Sequence, residues 1–180
     1  MKVRPATALV LLVALGFAVS GCDRPAQRGV LADTIEVRSE AFAEGGEIPE
    51  RFSCEGENIS PPLSWSKLPD GARELALVLS DPDATDGTFY HWVLVGIDPS
   101  KSSLAVGEVP PNAVVAESSS GMAAYIGMCP PDGSTHRYVF TLYALNRQLE
   151  PPVAGPPQAT LDAIEDAAVA RGTLTARFSR

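Results

Sequence analysis

The chain has 180 residues, with 14 Lys and Arg against 22 Asp and Glu, a formal net charge of −8 and a pI of about 4.7. Phosphate backbones repel such an acidic chain, and no cluster of basic residues offsets this, so nucleic acid is excluded as a partner. The length is sufficient for one domain with a sizeable hydrophobic core.

The first residues predict an exported lipoprotein. Lys2 and Arg4 precede an apolar run, residues 6–19, which would span roughly 21 Å as a helix and fall short of the ~30 Å hydrocarbon core. We interpret residues 1–21 as a signal peptide whose end resembles the bacterial lipobox, with Cys22 as the lipidated first residue of the mature protein. An ordinary signal peptide is the alternative. The expected location is the bacterial cell envelope, where the lipid anchors the protein to a membrane and the domain faces the periplasm or the exterior.

The two remaining cysteines, Cys54 and Cys129, form an even pair in a compartment where disulfides persist. We expect a bridge between them, which would close a long loop and contribute up to ~4 kcal/mol. Because the sequence does not fix their distance, two independent small buried residues are the alternative.

Residues 22–33 have no hydrophobic pattern and are predicted to form a flexible tether, followed by one domain over residues 34–180. Residues 34–39 alternate between apolar and polar, which is typical of a half-buried strand. Residues 44–62 are rich in Gly, Pro, Ser and Asn and predict an ordered loop. A brief strand around Leu63 and Trp65 follows.

Three later segments are nearly continuous apolar runs, typical of central strands covered on both faces. They are residues 74–80, 91–97 and 137–145. Between the second and the third, residues 104–120 contain many Gly, Pro, Asn and Ser residues and are predicted to be a long excursion over the surface.

The end of the chain predicts one amphipathic helix and a closing strand. Thr160 can cap the helix, and Gly172 can end it. Residues 173–178 then alternate as a strand does. The sum is a mainly β domain with long loops and one late helix. The helix has a single apolar stripe that is expected to pack on the sheets, made of Leu161, Ile164, Ala167 and Ala168.

The chain has only two histidines, and the first lies near a pair of carboxylates. Asp81 and Asp83 follow the first apolar strand, and the turn at residues 86–87 would join it to an antiparallel neighbour that begins at His91. A carboxylate beside an imidazole raises the pKa of the imidazole, which would make His91 a cationic donor for phosphate. The alternative is a local Asp-Pro turn without a role in binding.

The second histidine, His136, begins the third apolar strand. Tyr138 lies two residues later and therefore on the same face of the sheet, whereas Arg137 points the other way and is expected to form an ion pair. The loop over residues 127–133 can present amide hydrogens to an anion. Alone, His136 would more often be a structural residue. Together the two motifs predict a group of acids, imidazoles and a phenol suited to a phosphate ester or a zwitterion.

Other chemistries have weaker support in the sequence. No His pair at i and i+4 favours a metal site, and we expect neither a metal ion nor a cofactor. No Gly-x-Ser-x-Gly elbow marks a serine nucleophile. Cys129 precedes a proline and is expected to be oxidised, which disfavours it as a nucleophile. We therefore expect that the protein is not an enzyme.

Five motifs occur in order along residues 34–180: Phe52-Ser53-Cys54-Glu55-Gly56-Glu57-Asn58-Ile59-Ser60-Pro61-Pro62-Leu63-Ser64-Trp65, Asp81-Pro82-Asp83-Ala84, His91-Trp92, Gly127-x-Cys129-Pro130-Pro131 and His136-Arg137-Tyr138. Together they resemble the bacterial branch of the phosphatidylethanolamine-binding protein family, the group that includes Raf kinase inhibitor protein. The resemblance implies two packed β-sheets with a short C-terminal α-helix, and a small anion-binding cavity at one end.

The resemblance also implies a ligand site and a ligand class. The implied ligand is a small phosphorylated group or a phospholipid headgroup; the alternatives are a protein–protein regulator, such as a protease or kinase inhibitor, and a hydrolase. Thr85, Ala124 and Met128 depart from the family pattern, which has proline, glycine and proline there. We expect the His91–Asp81 pair and loop amides to hold the anion, while Asp83, Tyr138 and His136 shape the rim of the cavity. The implied ligand-binding residues are Asp81, Asp83, His91, Gly127, Cys129, Pro130, His136 and Tyr138.

Overall fold

The computed structural model describes residues 31–150 and 155–180. The predicted signal peptide, the lipidated Cys22 and residues 22–30 of the predicted tether lie outside the described residues. The last two residues of that tether, Ala32 and Asp33, are part of a sheet, because they pair in parallel with the final strand.

The described chain is mainly β, in two sheets with one helix. A six-stranded sheet has the order β1-β9-β8-β4-β5-β7, and a three-stranded sheet has the order β2-β3-β6. The elements are β1 (Ala32–Asp33), β2 (Glu36–Arg38), a 3-10 turn (Glu50–Phe52), β3 (Leu63–Ser66), β4 (Glu74–Asp81), β5 (Phe89–Ile97), β6 (Ser103–Leu104), β7 (Val114–Ala116), β8 (Thr135–Leu145), α1 (Gln158–Ala167) and β9 (Ala168–Ser179).

β4 lies near the middle of the large sheet and is buried on both faces, which explains its continuous apolar sequence. Leu77 and the leucines two residues on either side of it belong to a core cluster that includes Trp65 of the small sheet. Val78 points to the opposite face and belongs to a second cluster with Ile164 of the helix. The two sheets therefore pack face to face, and α1 covers the other face of the large sheet.

The helix begins and ends earlier than the sequence predicted. It begins at Gln158 after Pro157, so Thr160 lies buried within it and does not cap it. Gly172 does not end the helix either: it lies inside β9, where a Cβ would collide with the backbone carbonyl of Ile35. The glycine is required by the close approach of two backbones, which a sequence pattern does not distinguish from a helix end.

The predicted excursion over residues 104–120 contains more regular structure than expected. Val114–Ala116 forms β7, the outer strand that pairs with Val93–Val95 of β5. Within the described residues, no helix is long and apolar enough to cross a membrane.

Candidate functional site

A recess of about 450 Å³ lies where the turn between β4 and β5 meets the segment that leads into β8. Two parts of the chain that are distant in sequence therefore converge, as expected from the sequence. The recess is lined by Asp81, Ala84, Thr85, Asp86, Gly87, Thr88, Phe89, His91, Ser119, Ile126, Gly127, Cys129, Pro131 and His136.

The β4–β5 hairpin positions His91 at the base of the recess. Asp81 pairs with Phe89 in the antiparallel ladder, so His91 begins the buried part of β5 two residues later. The turn contains Gly87 at φ +102°, a conformation that favours glycine. The predicted antiparallel connection is therefore present.

His91 bonds to the backbone of Ile126 and not to a carboxylate. Its Nδ1 lies 2.9 Å from the carbonyl oxygen of Ile126, and the residue is 4% exposed. Burial lowers the pKa of His91, and this effect outweighs the backbone hydrogen bond and the negative charge of Asp81, which both raise it. The neutral form of the imidazole is therefore favoured, in contrast to the cationic form that was expected from a neighbouring carboxylate.

The carboxylate of Asp81 is paired with His136. Asp81 Oδ2 lies 2.8 Å from His136 Nδ1, and Asp81 Oδ1 accepts a hydrogen bond of 2.8 Å from the amide of Asp83. The predicted His91–Asp81 pair is replaced because β4 has two neighbours: β8 brings His136 to Asp81 from one side, while β5 lies on the other. Both side chains are almost buried, at 5% and 12% exposure for Asp81 and His136.

Asp83 does not line the recess. Its two carboxylate oxygens accept hydrogen bonds from Nε and Nη2 of Arg137 at 2.9 and 2.6 Å, and the Arg137 amide adds a third at 2.9 Å. These hydrogen bonds lower the pKa of Asp83 to about 2. The prediction that Arg137 forms an ion pair is confirmed. Asp83 was expected to shape the rim of the cavity, but it is not among the residues that line the recess.

Tyr138 lies beneath the recess and not at its rim. It is fully buried, and its ring stands edge-on to His91 with the centroids 5.4 Å apart. Its hydroxyl makes no hydrogen bond within the described residues, and burial together with the negative charge of Asp81 raises its pKa. Pro130 is also buried, and its neighbour Pro131 lines the recess.

Residues 52–58, which we call the brace, contact the side of the recess that is formed by Gly127 and Cys129. Cys54 and Cys129 form the predicted disulfide. The buried amide of Gly127 donates to Asn58 Oδ1 at 2.7 Å, and a Cβ at Gly127 would lie 2.6 Å from that oxygen. The expectation that the loop over residues 127–133 presents amide hydrogens to an anion therefore does not hold for the Gly127 amide, which is already bonded.

Sequence reasoning missed several lining residues and the role of Asn58. The sequence predicted the turn at Asp86. Because the side chains of a turn between two central strands border the end of the sheet, this turn could have indicated that its residues line the recess. Asn58 adopts φ +56°, which asparagine tolerates better than most residues. The lining residues that were missed are Ala84, Thr85, Asp86, Gly87, Thr88, Phe89, Ser119, Ile126 and Pro131.

Comparison with protein families and sequences gives a consistent result. The family model described as phosphatidylethanolamine-binding protein matches residues 38–179. LppC of Mycobacterium tuberculosis (strain ATCC 25618 / H37Rv), which its name describes as a lipoprotein, is 43% identical over 148 residues, covering 82% of this chain and 73% of LppC.

Two crystal structures share the fold. The phosphatidylethanolamine-binding protein homologue CT736 from Chlamydia trachomatis aligns with a TM-score of 0.76 and 34% identity, covering 83% of this chain and 99% of CT736. YbcL from E. coli, described as a new member of the mammalian family, aligns with a TM-score of 0.77 and 27% identity, covering 82% and 99%. The resemblance and the two-sheet fold inferred from the sequence are confirmed.

Proposed function

The chain belongs to the phosphatidylethanolamine-binding protein family, and we propose that its recess binds a phosphorylated or zwitterionic small group, such as a phosphate ester or a phospholipid headgroup. The observation that supports this most is that both histidines of the chain line one recess, one of them held by a buried carboxylate. Ligand pockets usually enclose roughly 300–1,000 Å³, and the recess lies in that range.

The charges of the lining favour a zwitterion over a simple anion. The lining contains two carboxylates, Asp81 and Asp86, and neither lysine nor arginine. Asp81 is already paired, so Asp86 is the acid that remains for an ammonium group, while a phosphate would lie against the imidazoles. Phosphorylethanolamine combines both groups in one small molecule.

The proposed location is the cell envelope, with the domain anchored through Cys22. The name of the mycobacterial relative supports this proposal. An anchored domain would hold the recess within reach of phospholipid headgroups. Mass spectrometry of the mature protein tests the anchor: we expect a lipid-modified Cys22 at the mature N-terminus, and an unmodified mature N-terminus at another residue would contradict it.

Isothermal titration with phosphorylethanolamine tests the binding site. We expect His91→Ala and His136→Ala each to weaken binding at least about tenfold, because each removes a polar group from the lining. The matched control is Arg147→Ala, whose ion pair with Asp166 lies beyond the opposite end of β8. Unchanged affinity in both histidine variants would exclude the recess as the site.

We further propose that the recess binds its ligand without catalysing a reaction of it. In support, the one serine of the lining, Ser119, is already engaged, since its Oγ accepts a hydrogen bond of 2.9 Å from the Tyr90 amide. Incubation with carboxylic and phosphoric ester substrates tests this. Turnover that Asp81→Ala abolishes would contradict the proposal.

A further inference from the structure

Both histidines use the same ring nitrogen for contacts within the protein. His91 Nδ1 lies 2.9 Å from the carbonyl oxygen of Ile126, and His136 Nδ1 lies 2.8 Å from a carboxylate oxygen of Asp81. A carbonyl oxygen and an ionised carboxylate only accept hydrogen bonds, so Nδ1 must donate in both rings. In the neutral form of each ring, the second nitrogen, Nε2, therefore has a lone pair and no hydrogen.

The ligand would meet these Nε2 atoms. Both histidines line the recess. Within residues 31–150 and 155–180, the ring of His136 bonds through Nδ1 to Asp81, whereas the ring of His91 also lies near the backbone of Gly127. The carboxylates of the lining are acceptors as well, and its hydroxyl groups, from Thr85, Thr88 and Ser119, are the neutral side-chain donors. A phosphate group is itself an acceptor, so a phosphate placed against two neutral imidazoles lacks a donor from either ring.

Three of the nearby donor groups are already engaged. Arg137 is bonded to Asp83, and the Gly127 amide is bonded to Asn58. At the end of β9, Arg180 is held by Glu55 and Asp132. With Nδ1 donating within the protein, a ring Nε2 becomes a donor to phosphate when the ring takes up a proton.

We propose that the recess takes up one proton with each phosphate group that it binds, and that His136 Nε2 holds this proton. The inference rests on the proposed function and specifies it: the bound species is a phosphate group hydrogen-bonded to an imidazolium. The proton comes from the solvent, and no covalent bond is made or broken.

The surroundings of the two rings favour His136 over His91. A positive charge on His136 would lie directly against the carboxylate of Asp81. His91 is instead enclosed by the rings of Phe89 and Tyr138, with centroids 4.7 and 5.4 Å away, and burial lowers its pKa. The titratable and charged groups around the pair are Asp81 on β4, Asp83 and Asp86 in the following turn, Arg137 and Tyr138 on β8, and Arg180 beyond β9.

Calorimetry at several pH values tests the proton uptake. Phosphorylethanolamine is titrated at pH 7, 8 and 9, in two buffers of different ionisation enthalpy. Above pH 7 the ester is a dianion and free histidine is mostly neutral. We expect uptake of about one proton per ligand and an association constant that falls toward tenfold per pH unit. Binding of constant affinity with no uptake would overturn this inference and leave the proposed function intact; no binding at any pH from 6 to 9 would overturn both.

Two substitutions assign the proton. Glutamine places an amide near the position of Nε2 and does not titrate, so His136→Gln should keep measurable binding but lose the proton uptake and the pH dependence. His91→Gln is the matched variant and should still take up one proton. The opposite pattern would overturn the assignment to His136.

Titration with a phosphodiester shows whether the proton that is taken up resides on the protein or on the phosphate group of the ligand. Glycerophosphorylethanolamine has no ionisable P–OH group in this pH range, so it should bind with the same uptake if the proton resides on His136. Uptake with the monoester alone would overturn the assignment.

Nitrogen-15 NMR of the free protein at pH 8 tests the tautomers without any ligand. We expect Nδ1–H tautomers for both rings, and an Nε2–H tautomer in either one would overturn the inference.

Discussion

His91 and Ile126 are hydrogen-bonded to each other twice. The amide of Ile126 donates to the carbonyl oxygen of His91 at 3.1 Å, and the ring Nδ1 of His91 donates to the carbonyl oxygen of Ile126 at 2.9 Å. One residue lies on β5 and the other on the segment before β8, so this pair connects the two halves of the recess. Because the imidazole of His91 is buried, its neutral form is favoured.

This neutral histidine predicts a pH dependence of stability. Because burial lowers the pKa of His91 in the folded protein below its ordinary value of 6.5, the unfolded chain binds the proton more readily between these two pKa values. The contribution of His91 is therefore fully present above about pH 6.5 and is lost as the pH falls. Urea denaturation between pH 7.5 and 5 measures it. His91→Gln cannot titrate and should show a smaller decrease; an equal decrease would contradict the prediction.

The Asp83–Arg137 ion pair should contribute little to stability. The pair is partly exposed, and such pairs typically contribute less than about 1 kcal/mol. Arg137→Ala should nevertheless raise the pKa of Asp83 from about 2 toward its ordinary 3.8, since the arginine hydrogen bonds lower it. The contribution of this carboxylate is present above pH 3.8 and is lost as the pH falls toward 2. NMR titration of the Asp83 carboxyl group measures this pKa. A value that stays near 2 in the variant would show that the hydrogen bonds from the arginine side chain do not lower it.

Removing the disulfide should destabilise the fold. Cys54 and Cys129 are separated by 75 positions, and closing a loop of this size contributes about 4 kcal/mol in the chain-entropy model. We expect the double variant Cys54→Ser, Cys129→Ser to lower the free energy of unfolding by roughly 3–4 kcal/mol in urea denaturation. The wild-type protein measured with and without a reducing agent is the parallel comparison. A difference below about 1 kcal/mol would show that other contacts of the brace suffice.

A series at Asn58 separates the hydrogen bond from the backbone conformation. Asn58→Gly keeps the freedom to adopt φ +56° but removes the acceptor for the buried amide of Gly127, which should cost about 1–3 kcal/mol. Asn58→Ala should cost about 1 kcal/mol more, because alanine is strained at positive φ. Asn58→Asp retains an acceptor and should be close to the wild type. Equal stabilities of the Gly and Asp variants would rule out the hydrogen bond as the cause.

The central strands could be predicted from the sequence because their burial on both faces leaves a direct signal. β4, β5 and β8 are continuous apolar runs, and the observed bounds differ from the prediction by two residues or fewer. The short strand β7 left no such signal, since only three residues pair and Val114 is exposed. Gly172 was misassigned because its cause, the nearby carbonyl of Ile35, comes from a distant part of the chain.

The partners within the recess depend on strand order, which the local sequence does not contain. Asp81 has β5 on one side and β8 on the other, and each of these strands supplies a histidine. The sequence brings His91 nearest along the chain, but the side chain that reaches Asp81 is His136, 55 positions away. For the same reason, the bond between Asn58 and Gly127 required the tertiary structure.

The outermost strands of both sheets are very short. β1 and β6 have two residues each, and β2 and β7 have three, whereas β9 within the large sheet has 12. Long exposed edges offer unpaired backbone groups on which other chains can polymerise. The folded domain should therefore resist edge-to-edge aggregation, and the long apolar segments that would otherwise form fibrils are kept inside the sheet.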